Sequence, residues 1–573
     1  MKRSILFCAL AACGGGAAKA PVTPVAVAEE KPAAEPAGEH AGHEAAAMPS
    51  WKLDALPKGA VLLGDLGTHG RKVTTTSPEA QKFFDQGLQL TYGFNHDEAA
   101  RSFARAAEID PKCAMCLWGA AYVMGPNYNV PMLPDRAEAA WDAVTRAQSL
   151  PASPVEKALI GALGKRYKGP EWIDPMAQQP FNEAYAAAMR DVAKQFPDDV
   201  DVQVLFAESL MNLNPWKLWA ADGKPASGTP EILATLEKAL AKAPQHPGAN
   251  HYYIHAIEAS KTPGKGVPSA DRLGALMPNA GHAVHMPAHI YQRVGRYADA
   301  SEANRRAIVS DQRYLDKVTP PGYYPFYLAH NFGFLAFSAS MLGRSAETLD
   351  ASRRSANQMP KDIVCGMPGM DFFLSEPLLV MVRFGKWQEI LGEAKPDAKY
   401  SVLTALWHHA HGMALASTGK AADARADVEA MKAVAEKIPA DQVSDVNSSR
   451  AIVAVAAKIV EARIAEAEEK PEAIALWQEA VALEGKLDYS EPADWFYPTR
   501  HFLGAALLDA KKYKEAEAVY RADLERNPGN GWGLYGLWKS LEAQKRTKDA
   551  RAAQQQFQKA WEHADIKLER SAF

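Results

Sequence analysis

One spacing recurs near opposite ends of this chain and narrows what it can fold into. Gly87, Ala99, Phe103 and Pro111 are separated by twelve, four and eight residues, and Gly504, Ala516, Tyr520 and Pro528 repeat those separations. Weaker copies lie between them, at Ala207 after Pro197, Ala288–Ala300, Gly412–Ala424 and Ala473–Trp477. A second periodicity agrees: His251-Tyr-Tyr-Ile-His255 is followed, 34 residues on, by His285-Met-Pro-Ala-His289. A fixed period of this size marks a stack of similar supersecondary units, each burying its apolar face against the next. Alanine-rich amphipathic runs at 99–107 and 421–435 favour helix, and β-branched runs that would build a sheet are scarce.

The 573 residues are enough for several domains or for one long array. With 47% hydrophobic and 23% charged residues the chain is ordinary for a globular protein. A net charge of −4 supplies no basic stripe, so nucleic acid is set aside as a partner.

The pattern of small residue, alanine, aromatic and closing proline resembles that of the tetratricopeptide repeat (TPR) superfamily. The small residues let the two helices of a unit approach, and the aromatic wedges between units. The resemblance implies an all-α fold, a right-handed α-solenoid of roughly nine or ten TPR-like helix-turn-helix units over residues 78–573. Imperfect units are expected near 150–200 and 360–400, and Ser77-Pro78-Glu79 is a well-formed helix start. Residues 51–77 read as an irregular leader onto the array. Three insertions are longer than a plain array needs: Gly125–Pro131, Asn212–Trp219 with its continuation, and Pro320–Pro325. Such loops either fold over a groove or pack on outer helices.

The N-terminus carries a targeting signal. Met1-Lys2-Arg3 is a short basic start, and the apolar stretch that follows is too brief to span a bilayer. It ends in Leu10-Ala-Ala-Cys13, which resembles the lipobox of bacterial lipoproteins. That resemblance implies a signal peptide at 1–12, lipidation of Cys13, and anchoring to a membrane on its periplasmic side. The alternative is an ordinary cleaved signal with an incidental cysteine; either reading exports the chain. Residues 13–50 are rich in Ala, Pro and Glu and read as a disordered tether, with His40 and His43 incidental to it. In an oxidising compartment, Cys113-Ala-Met-Cys116 is a candidate disulfide or a soft half-site for metal. It is no c-type haem site, because Leu117 stands where the axial histidine is needed.

Sixteen histidines are spread along the chain, yet five of them (251, 255, 282, 285 and 289) lie within one 39-residue stretch. Histidines four apart share a helix face. In the TPR family the first helix of a unit lines the concave surface, and the resemblance places His251, His255, His285 and His289 in that groove. Applied elsewhere, it places Glu208, Asn331, His409 and His501 there too, with Glu258 one turn beyond His255 and His282 close by. Helices packed 8–10 Å apart let imidazoles from neighbours meet at one ion. An all-imidazole set in an exported protein points to copper or zinc, lost as the pH falls below about 6. Two other readings stay open: a metal-free groove that docks a peptide of an envelope protein, and a metalloenzyme using the same ions. The sequence has no His-Glu-x-x-His motif, nucleophile elbow or phosphate loop to select a reaction. His408 and His411 could share a side of their helix, and they read as structural. The blocks 251–258 and 282–297 resemble stretches of poorly characterised exported bacterial TPR lipoproteins, which implies the fold and compartment but no activity.

Overall fold

A computed structural model describes residues 51–319, 324–359, 364 and 366–573. The signal peptide, the tether, Cys13 and residues 320–323 of the third insertion lie outside these residues. Among the described residues the regular secondary structure is helical, apart from a short β-hairpin pairing Val443–Ser444 with Asn447–Ser448 and an isolated bridge between Trp219 and Pro225. No described helix is long and apolar enough to cross a membrane.

The helices succeed one another as antiparallel pairs, each packed on the next. The first, Pro78–Tyr92, starts as expected: the Ser77 hydroxyl accepts from the Ala80 N–H, and Pro78 takes the position whose N–H would be orphaned anyway. Its partner, His96–Ile109, carries Phe103, and the following Ala114–Met124 begins the next unit. A Cβ on Gly87 would lie 2.7 Å from the Phe103 ring, and one on Gly119 would lie 2.4 Å from it. Tyr520 is gripped in the same way, 2.4 Å from a Cβ on Gly504 and 2.1 Å from one on Gly536. One aromatic thus fills the space left by two glycines, one in its own unit and one in the next. Units near 150–200 and 370–392 are irregular, with short 3₁₀ turns at Gly164–Arg166 and Met370–Ser375.

The wedge predicts a contrast. Gly536→Ala forces a methyl into the Tyr520 ring and is expected to cost about 1–3 kcal/mol. Gly161→Ala, on the exposed face of Pro154–Leu163 where nothing lies within 4 Å, is expected to add about 0.5–1 kcal/mol. Denaturant titration of the two variants reads both signs.

The array does not stay open. The first helix packs against Pro247–Ile257, several units later, so closely that a Cβ on Gly248 would lie 2.3 Å from Tyr92. The leader joins the same seam, with the Asp65 carbonyl accepting from the Asn279 N–H. In the second half, the Trp532 indole donates to the Ser340 carbonyl at 2.8 Å, and Asp565 accepts from Ser345 and Ala346 at the start of their helix. Each half therefore coils back on itself, and part of the inner face that was expected to be a groove becomes core.

Candidate metal centre

The histidines converge inside the first coil. His251 and His255 stand on Pro247–Ile257; His282 and His285 lie on Gly281–His285, and His289 on Pro287–Arg293. Pro287 interrupts the helical hydrogen bonding, but Met286 keeps helical dihedrals (φ −49°, ψ −36°), so His285 and His289 still share a face. All five are 2% exposed or less. The four paired rings do not meet at one point. They split, each pair gaining a third member, into His251/His255/His282 and His285/His289/His330, and within each trio the ligand atoms lie within 4.8 Å of one another.

In the first trio the hydrogen bonds fix the tautomers. The Tyr92 carbonyl can only accept, so His251 Nδ1–H donates to it at 2.6 Å. His255 Nδ1–H donates to the Glu258 carboxylate at 3.1 Å. Both Nε2 atoms are then bare lone pairs, and neither has a protein partner; nor does either ring nitrogen of buried His282. Burial, aided by the neighbouring imidazoles, holds His251 and His282 well below the ordinary histidine range, and burial lowers His255 despite Glu258. Neutral rings with fixed, outward lone pairs are the form that ligates metal. Phe94, in a left-handed turn (φ 55°), packs against all three rings at centroid distances of 4.5–5.7 Å.

The second trio is more polar. His285 Nδ1–H donates to Asn304 Oδ1 at 2.7 Å, because the Asn304 amide is already donating to the Ala300 carbonyl. His289 Nδ1 sits between Glu491 at 2.8 Å and Glu258 at 3.0 Å. Burial opposes charge on His289, but the two carboxylates outweigh it and hold the ring up at about 10. Burial likewise pushes Glu491 up to about 7, while His289 and His255 override it at Glu258 and hold that carboxyl at about 2. His330, on Tyr324–Met341, is lowered to about 3 by burial and by His289.

His255, His282, His289 and His330 reach the wall of a cavity of about 2180 Å³. The first two insertions cover it, through Pro126–Leu133 and Asn212–Trp219, and Tyr128 and Trp216 bring their rings to 5.0 and 5.7 Å from His255. Residues 440–448 and 485–494, the latter carrying Glu491, close it from the second coil.

The remaining sequence candidates lie elsewhere, and none of Glu208, Asn331, His409 and His501 lines the cavity. Glu208 pairs with the Asn212 amide. His409 lies between the Ala456 carbonyl and the Tyr497 hydroxyl, and His501 between Asp523 and Arg383. These inner-face positions became buried hydrogen-bonding partners when the coils closed. Asn331 is off by one residue: its amide turns to Asp311 at 2.7 Å, and its neighbour His330 faces the cluster. His408 and His411 do share a side, both on Asp427. Cys113 and Cys116 are joined as a buried disulfide, so their sulfurs are not a half-site.

Another group, His69, Asp201 and His246, is compact enough for an ion. Asp201 already accepts from Tyr92, His246 and His69 at 2.7–3.1 Å, and the Arg71 guanidinium reaches it at 3.2 Å. The Asp201 carboxylate is already satisfied, by Tyr92, His246 and His69 on one oxygen and by a guanidinium on the other. The group clips the leader onto the array.

No family model and no curated protein matches the chain. Among solved structures it is similar to a human IFIT1 dimer with m7Gppp-AAAA, at 13% identity over 89% of this chain and 96% of that one, with a TM-score of 0.33. It is also similar to the Cut9–Hcn1 hetero-tetramer of APC/C (14%, covering 87% and 77%, TM-score 0.28). The TPR domain of P58(IPK) matches at 14%, covering 82% and 99%, with a TM-score of 0.19. Likenesses this distant say nothing about the site. The helix pairs and their aromatic wedges define the class: an all-α protein built of repeated helix pairs.

Proposed function

We propose that this chain is an exported, lipid-anchored helical-repeat protein that holds a transition metal in the His251/His255/His282 trio and presents it to a capped cavity. One observation carries the reading: buried imidazole nitrogens of three rings converge without protein partners, and the other nitrogens of His251 and His255 are spent on fixed acceptors. An orphaned buried acceptor costs about 1–3 kcal/mol, and a coordinated ion removes that cost for the whole set at once. Three imidazoles and no thiolate favour copper or zinc. Anchoring at Cys13 and a periplasmic setting rest on the lipobox-like sequence, and the buried disulfide fits an oxidising compartment.

A peptide lying along an open groove is the less favoured alternative, because the inner face is packed and the histidines are buried. A metalloenzyme is favoured over it by the cavity, whose walls of Tyr128, Trp216, Phe326 and Tyr327 suit a largely apolar small molecule beside the ion. Elemental analysis of the full chain, purified without a polyhistidine tag, tests the reading. Stoichiometric copper or zinc is expected. Protein that stays metal-free after dialysis against either ion would refute it.

A further inference from the structure

His285 and His289 pose a problem that the first trio does not. Their Nε2 atoms lie 2.9 Å apart. His285 has already given its Nδ1–H to Asn304, and His289 has given its own to the Glu491 carboxylate, with Glu258 Oε2 3.0 Å away. Two neutral rings so committed would aim one lone pair at another across that gap, deep in the protein. Something positive has to lie between them. A proton can do so, by charging one ring; so can a metal ion.

Without metal the proton serves, since the carboxylates keep His289 charged and its Nε2–H donates to His285 Nε2; the same geometry and surroundings suit an ion that displaces that proton. Two nitrogens bound to one ion at 2.0–2.1 Å, with an angle of roughly 90–110° between them, are about 2.9–3.4 Å apart, and the observed gap fits. His330 adds a third nitrogen within 4.8 Å, its ring centred 4.8 Å from that of His285. Glu258, buried and held as a carboxylate, places negative charge behind His289, with the buried Glu491 carboxyl beside it, as the groups that orient and strengthen metal-bound histidines do. Glu258 serves both trios, with one oxygen on His255 and the other on His289. Across the trios, His282 lies 5.7 Å from His285 and His255 lies 5.8 Å from His289, centroid to centroid.

We infer that His285, His289 and His330 hold a second divalent first-row transition ion beside the first, so that the cluster is a two-ion centre with three imidazoles on each ion and Glu258 shared behind them. The proposal extends the reading above from one ion to two.

Cobalt(II) is the probe, because its visible absorption reports coordination as well as stoichiometry. Apo protein, full length and untagged, is titrated with cobalt(II) and the bound ion counted after equilibrium dialysis. The expected result is two ions per wild-type chain and one in His330→Ala. In Glu491→Gln the second ion is expected to bind about 10–100-fold more weakly while the first is unchanged. If His330→Ala does not fold, the wild-type count and Glu491→Gln decide the matter. One ion per wild-type chain, with His330→Ala and Glu491→Gln unaltered, would overturn the second ion and leave the first reading standing. No bound ion would overturn both.

Discussion

Replacing His255 with alanine is expected to weaken metal binding more than about 100-fold, beyond the roughly 10–100-fold typical of losing an outer hydrogen-bond partner of a ligand. The ring supplies one of three converging nitrogens, and its Nδ1–H satisfies the Glu258 carboxylate. Alanine removes both, leaving a buried charged oxygen short of a donor in the middle of the cluster. The control is His411→Ala, whose half-exposed ring bonds Asp427 far along the chain and should leave affinity unchanged. Competitive titration against a chelator measures both, with circular dichroism to establish that each variant is folded. Equal affinities for wild type and His255→Ala would remove this ring from the site.

His330 makes the apo protein sensitive to acid. Its folded value is lowered to about 3 from 6.5, so the folded ring stays neutral over a range in which the unfolded chain takes up a proton. The unfolded state then binds more protons, and stability must fall as the pH drops below about 6.5, with the loss complete near 3. Between pH 7 and pH 5 this one ring accounts for about 2 kcal/mol. The other lowered rings act in the same direction. Glu491, raised to about 7, opposes them, since its folded form holds a proton that the unfolded form has released. His289, raised to about 10, gives stability that is present below 6.5 and lost only on the alkaline side. A difference measurement isolates His330: with metal chelated, wild type should lose about 2 kcal/mol more than His330→Gln between pH 7 and pH 5. Equal losses in denaturant titrations would show that the ring is not held neutral.

The unit was readable in the sequence because its grammar is local. Gly87, Phe103 and their counterparts Gly504 and Tyr520 announce helix spacing and wedge within one repeat, and Ser77-Pro78 announces the first helix. The two histidine pairs were readable for the same reason. What was not readable is closure. The Tyr92 carbonyl that orients His251 comes from a residue 159 positions earlier, and Glu491 reaches His289 across 202. No periodic pattern marks contacts of that range, which arise only when the coil meets itself. Glu208, His409 and His501, expected to line an open groove, lie instead among buried hydrogen-bonding partners on that account. His330 was missed for a different reason: it follows His289 by 41 residues, seven more than the period, and the insertion around 320–325 pushed it out of phase. The groove rule of the repeat, three positions before the slot at Phe334, selected Asn331, one position too far. The division of four rings into two trios depends on His330 and His282 together, so it could not precede either.

The central claim is that buried imidazoles without protein partners are the inner coordination shell of a metal ion. X-ray absorption at the edge of the bound metal tests it most directly. The account predicts a first shell of nitrogen at about 2.0–2.1 Å, with the outer-shell scattering of imidazole rings and three rings per ion. A first shell of oxygen or sulfur with no imidazole signature would contradict it, since the bound metal would then sit somewhere other than these histidines.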